Sequence, residues 1–212
     1  MHRPLSILAS IIVLLLSVPT LSAAQVPGNC EISKETLAGI RQMLTAEDNG
    51  LFFEIWTPEE IACACIEIYY NEPEETWLHE RVVAGAIVLL GMTEDVRAVP
   101  VLIDAIETHP AQALYALGAF STVESLNALV GRMREDDPSA RENAAEGLRR
   151  MQPPPSDDVP EGWKQALESA LGEVAEWMVK EPEPDIAEYF LDAHYNLSQL
   201  LAKAVQSSSA TE

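Results

Sequence analysis

Apolar residues recur every three or four positions through most of this chain, which is the spacing of one face of an α-helix. Leu37, Ile40 and Leu44 mark a first helix that Ser33 can cap, and Asp48-Asn49-Gly50 reads as the turn that ends it. Thr57-Pro58-Glu59-Glu60 is a helix start in which Thr57 caps, Pro58 suits the first helical position and Glu60 completes a capping box. That second helix carries Ile61, Cys65 and Ile68 to about Tyr70, and Pro73 forces the next break. Near the other end, Trp163, Leu167, Ala170, Val174 and Trp177 form one stripe of a helix that begins near Glu161. Pro182 and Pro184 break it, and Asp185 with Glu188 is expected to cap a last helix bearing Ile186, Phe190, Leu197 and Leu201. From Gln206 the polar tail is expected to be disordered.

Between these flanks the pattern repeats. Ala86-Ile87-Val88-Leu89-Leu90-Gly91 matches Ala113-Leu114-Tyr115-Ala116-Leu117-Gly118, and Ala144-Ala145-Glu146-Gly147-Leu148-Arg149 is a weaker third copy. Leu90, Leu117 and Leu148 stand 27 and 31 residues apart. Asp95 opens a second helix over Val96–Ile106, with Ala98, Val99 and Leu102 inward. Ser121 with Glu124 is expected to box the start of the helix carrying Leu126 and Leu129. Small residues let paired helices approach, Gly91 and Gly118 are expected to permit tight exits, and the second helix returns antiparallel. One such pair cannot bury its apolar face alone, so neighbours must stack.

Ala86, Leu90, Gly91, Asp95, Ala98, Val99, Pro100 and Leu102 resemble the short, phycobilisome-lyase-like HEAT repeat, and Asp137-Pro138-Ser139-Ala140-Arg141 is similar to its Asp-Pro-x-Val-Arg entry. The second copy departs from it with Asn127 where the first has Pro100, and the third lacks the glycine after its leucine. The resemblance covers about residues 74–151 and implies an all-α fold: a short α-solenoid of antiparallel helix pairs with flanking capping helices. The expected layout is a signal segment at 1–24, N-terminal helices at 25–73, HEAT-like repeats at 74–152, C-terminal capping helices at 153–205 and a tail at 206–212. It also implies protein binding on the wall built by the second helices, Val96–Glu107 and Thr122–Glu135, with Asp104, Glu107, Asn127 and Arg134 as candidate contacts. An accessory lyase, attaching a tetrapyrrole to another protein, is the alternative carried by the same resemblance.

Composition changes the picture in three ways. His2 and Arg3, the apolar run Ile7–Leu16 and the small residues Ser22-Ala23-Ala24 have the three parts of a secretory signal, so cleavage near Ala24 and a secreted or periplasmic location are expected. Pro19 and its polar neighbours leave the run too short to span a bilayer, and Pro27-Gly28-Asn29 before Cys30 is not a lipobox. The chain has 34 acidic and 13 basic residues, a net charge of −21. Such a surface repels nucleic acid and anionic headgroups and favours solubility, and export together with the repeat resemblance makes another envelope or secreted protein the expected partner. The three cysteines are Cys30, Cys63 and Cys65. On one helix Cys63 and Cys65 project about 200° apart and do not readily share a metal. Pairing of Cys30 with Cys63, with Cys65 buried and free, is one expectation; three free thiols, or a thiol or metal role, are the others.

Catalytic patterns are sparse. His79-Glu80 begins like a zinc-protease helix, but Val83 stands where its second histidine belongs. His109 and His194 read as structural, and the acidic clusters Glu72–Glu75, Glu135–Asp137 and Glu181–Asp185 fall at helix junctions, where they favour the helix dipole. No serine-hydrolase elbow, phosphate loop or calcium loop occurs, so no cofactor and no catalytic residue is assigned. Asn196-Leu197-Ser198 matches a glycosylation sequon by pattern alone. Trp56, Tyr69, Tyr70 and Trp77 are expected to cluster where the N-terminal helices meet the repeats, as a packed joint or as an aromatic hot spot.

Overall fold

A computed structural model describes residues 30–46, 51–74, 78–155 and 159–209. The expected signal segment at 1–24 and Trp77 lie outside the described residues. Among those described, every regular element is an α-helix and there is no strand.

Local chemistry explains where the helices begin. Helix α1, Lys34–Ala46, starts under Ser33, whose Oγ accepts the amide of Thr36 at 3.0 Å. Helix α2, Phe52–Ile55, is one turn with no periodic signal in the sequence. It buries Phe52 and brings Trp56 against Gly39, where an added Cβ would stand 2.7 Å from the indole. Helix α3, Pro58–Asn71, has both bonds of its capping box: the Glu60 amide donates to Thr57 Oγ1 at 3.2 Å, and the Thr57 amide donates to Glu60 Oε2 at 2.9 Å. Thr57→Ala is expected to lower stability by about 1 kcal/mol, read as a lower urea midpoint at unchanged slope.

Cys30 is bonded to Cys63 of α3 with their Cα atoms 5.2 Å apart, while Cys65 is free and buried. Unfolding without reductant should therefore expose one titratable thiol, and unfolding with reductant three; three thiols without reductant would remove the bridge.

Helices α4, His79–Thr93, α6, Pro110–Leu117, and α8, Pro138–Arg150, alternate along the chain with α5, Ala98–Ala105, and α7, Val123–Arg132. Helices α9, Trp163–Lys180, and α10, Pro184–Ser209, follow. Each of α4, α6, α8 and α10 packs on the next, and so does each of α3, α5, α7 and α9. Across these two rows α4 meets α3 and α5, α7 meets α6 and α8, and α10 meets α9; α1 lies on α3 and α4. One buried cluster runs through them from Ile40 to Ala204.

Several boundaries differ from expectation for physical reasons. Gly91 does not loosen an exit: it lies within α4, where an added Cβ would stand 2.8 Å from Ala116 Cα of α6. The exit is made by Glu94 at φ 56°. The cap of α7 is Thr122, one place after the expected Ser121, with Ser125 as its partner. The third helical position here faces the core, so Ser125 fits because its hydroxyl donates to Phe120 O at 2.7 Å, whereas Glu124 stays in water. Ser121 Oγ instead donates to Gln152 O at 2.7 Å and ties this turn to the end of α8. Helix α10 opens with Pro184 in its first turn, beside Asp185, and runs past Gln206, so the expected tail begins inside a helix.

Candidate functional site

The expected binding wall, Val96–Glu107 and Thr122–Glu135, falls on α5 and α7 of the row α3–α5–α7–α9, and several polar side chains of that row pair with one another. Arg97 lies between Asp95, with Nη2 2.5 Å from Oδ2, and Glu59 of α3 at 3.3 Å. Hydrogen bonding to Arg97 holds the Asp95 carboxyl below the usual range against the opposing effect of burial. Tyr69 donates to Asp104 Oδ2 at 3.1 Å, and burial chiefly, with Asp104 beside it, pushes the phenol up to about 12. Glu107 pairs with Arg132 of α7. Arg134 makes a two-pronged pair with Glu173 of α9, at 2.8 and 2.6 Å. Of the four candidate contacts, Asp104, Glu107 and Arg134 thus bridge neighbouring helices, and Asn127 is exposed on α7. All four are solvent-side, but three of them are fastenings of the row.

The junction acids do more than cap. Glu72 is buried and takes both prongs of Arg41 from α1, at 2.7 and 2.5 Å. The Glu181 side chain is inaccessible to water and takes two prongs of Arg141, at 2.6 and 3.0 Å. Arg141 also donates to the carbonyls of Glu135 and Asp136 and lies 5.6 Å from the Trp177 ring. Asn196 fastens a helix end in the same way. Its amide donates to the Leu148 and Met151 carbonyls at 3.0 Å each, closing the end of α8 from α10.

The remaining chemical candidates are dispersed. His79 is half-buried, with Nδ1 enclosed. His109 Nε2 is 3.3 Å from Glu80 Oε2, and its Nδ1 is 2.9 Å from Thr108 Oγ1. Among the described residues no three His, Cys, Asp or Glu side chains are placed to hold a metal ion, and no helix is long and apolar enough to cross a membrane. Complete burial raises the Cys65 thiol far above its ordinary range, so it stays protonated and inert. Among the described residues the aromatics do not form one patch: Trp56 precedes the first turn of α3, while Tyr69 and Tyr70, edge-on at 5.0 Å, lie in its last, about 20 Å away along the helix.

A concave site lies on the other row. A groove of about 340 Å³ follows α4 between α1–α2 and α6. Its floor is Arg81, Ala84, Gly85, Val88 and Met92, spaced as one helix face, with Leu44 and Phe52 on one wall and Gln112 on the other. None of these stands out in the sequence as a candidate. The available signal is that α4 has no charged residue from Val82 to Thr93, so it is apolar on more faces than one packed neighbour can cover. Comparison of the chain with protein-family models, with curated proteins and with solved structures gave no match.

Proposed function

We propose that this is an exported HEAT-like repeat protein that holds another envelope or secreted protein and carries no catalysis of its own. The observation that supports it is the alternation of helices between two rows of neighbours. A short α-solenoid of antiparallel pairs has that order of contacts, and α1–α3 and α9–α10 then stand where repeat arrays need their end caps. Backbone-close contacts of Gly91 with Ala116 and of Gly118 with Gly147 join successive members of the first row. A disulfide between Cys30 and Cys63 suits an oxidising compartment, as the expected signal segment does.

Cross-linking in the envelope fraction of the native source, followed by purification of the tagged protein, tests this. One enriched exported protein, with cross-links on helix surfaces, is expected. A folded, abundant protein that brings down nothing specific would overturn it.

A further inference from the structure

We propose, resting on the binding function above, that the α4 groove receives the apolar face of a cationic amphipathic helix from the partner protein. Shape gives the first reason. From Arg81 to Met92 the floor spans three turns, about 16 Å, and its side chains are short at Ala84, Gly85 and Val88. At Gly85 an added Cβ would stand 3.0 Å from Leu44 Cδ2, so the glycine lets the wall of α1 come close to the floor. A helix seats its anchors at this spacing when it enters a groove. Apolar surface is also left in water: Met92 of the floor is 57% exposed, and on α2, whose Phe52 lines the groove, Phe53 is 43% and Ile55 57% exposed.

Charge selects the occupant. The chain has 34 acidic residues against 13 basic ones, and six arginines, Arg41, Arg97, Arg132, Arg134, Arg141 and Arg149, are already paired with carboxylates. Arg81 also has an interaction within the chain. The uncompensated charge facing water is therefore negative. At the two ends of α4 stand exposed Glu80, next to Arg81 and 3.3 Å from His109 Nε2, and exposed Glu94, at the C-cap two residues after Met92. Lysines and arginines flanking an apolar stripe meet those carboxylates. A second copy of this chain or an acidic helix meets repulsion instead.

The test uses the purified protein and three labelled peptides of about four helical turns: Leu/Lys, Leu/Glu, and Gln/Lys with the cationic charge of the first. Anisotropy should show the Leu/Lys peptide binding about 10-fold or more tightly than either other peptide. Met92→Lys and Gln112→Lys should each weaken it about 10-fold, while Gln199→Lys, the same change of charge at an exposed position of α10 away from the groove, leaves it within about 2-fold. Met92 is exposed and Gln112 half-buried, so unchanged melting curves can certify both variants. Equal binding of Leu/Lys and Gln/Lys, or equal losses in Met92→Lys and Gln199→Lys, would reduce the effect to bulk charge and overturn the groove. If the groove fails while an exported partner still co-purifies, binding as the function stands and only its site is wrong. Failure of both removes both.

Discussion

Gly118→Ala should cost about 3 kcal/mol, while the same change at Gly131 or Gly172 should raise stability by about 0.5–1 kcal/mol. In a helix alanine is better than glycine, because glycine gives up more backbone freedom on folding. Gly131 in α7 and Gly172 in α9 are exposed, and a Cβ on either meets no atom within 4 Å, so that gain is realised in full. At Gly118 the new Cβ would overlap the Gly147 carbonyl oxygen and stand 3.1 Å from Gly147 Cα. Backbone cannot rotate aside as a side chain does, so α6 and α8 must part and the leucines between them lose contact. Gly147→Ala meets the same obstacle from the other side, 2.6 Å from Leu114 O. Urea unfolding of the four variants reads the sign directly. A Gly118→Ala midpoint equal to that of the parent would mean that these helices do not touch through their backbones.

What the sequence makes legible is whatever local chemistry determines. The capping box at Thr57 and Glu60 and the stripe from Trp163 to Val174 are each complete within one helix, so pattern locates them. Ser121 and Thr122 offer two caps one place apart, and the choice between them rests on which third residue faces the core, a tertiary fact. The third repeat's glycine escapes the pattern because the leucines set its alignment: Gly147 precedes Leu148, whereas Gly91 and Gly118 follow theirs. Junction acids pass for caps because Arg41 and Glu72, and Arg141 and Glu181, are 31 and 40 residues apart, with no local sign of pairing. The same holds for Asp104, Glu107 and Arg134. Exposure at solvent-side positions is readable, but the partners that occupy them come from the next helix in the row.

Removing either member of the Arg141–Glu181 pair should be the most damaging polar change, at about 3–5 kcal/mol. Both side chains are nearly inaccessible, 6% for Arg141 and 0% for Glu181, so a lone Glu181 keeps its charge without a counterion, and a lone Arg141 keeps only the Glu135 and Asp136 carbonyls and the fields of Asp136 and Asp137. Arg141→Ala also frees the carbonyls of Glu135 and Asp136 and uncovers Trp177, which unpins α8 from the α9–α10 turn together with the turn before α8. Arg141→Met with Glu181→Leu should recover much of the loss, since two apolar groups of similar size need no solvation. A double-mutant cycle then isolates the pair, and a coupling near zero would show that the contact contributes only packing. Acid supplies an independent readout. Hydrogen bonding to Arg141, the largest influence, holds the Glu181 carboxyl below its ordinary range against its burial. A carboxylate lowered on folding stabilises fully above its unfolded value and loses that contribution as pH falls through the folded one. The Glu181 share is therefore complete at neutral pH and disappears only below about pH 4, so Glu181→Gln should flatten the acid limb of the stability profile.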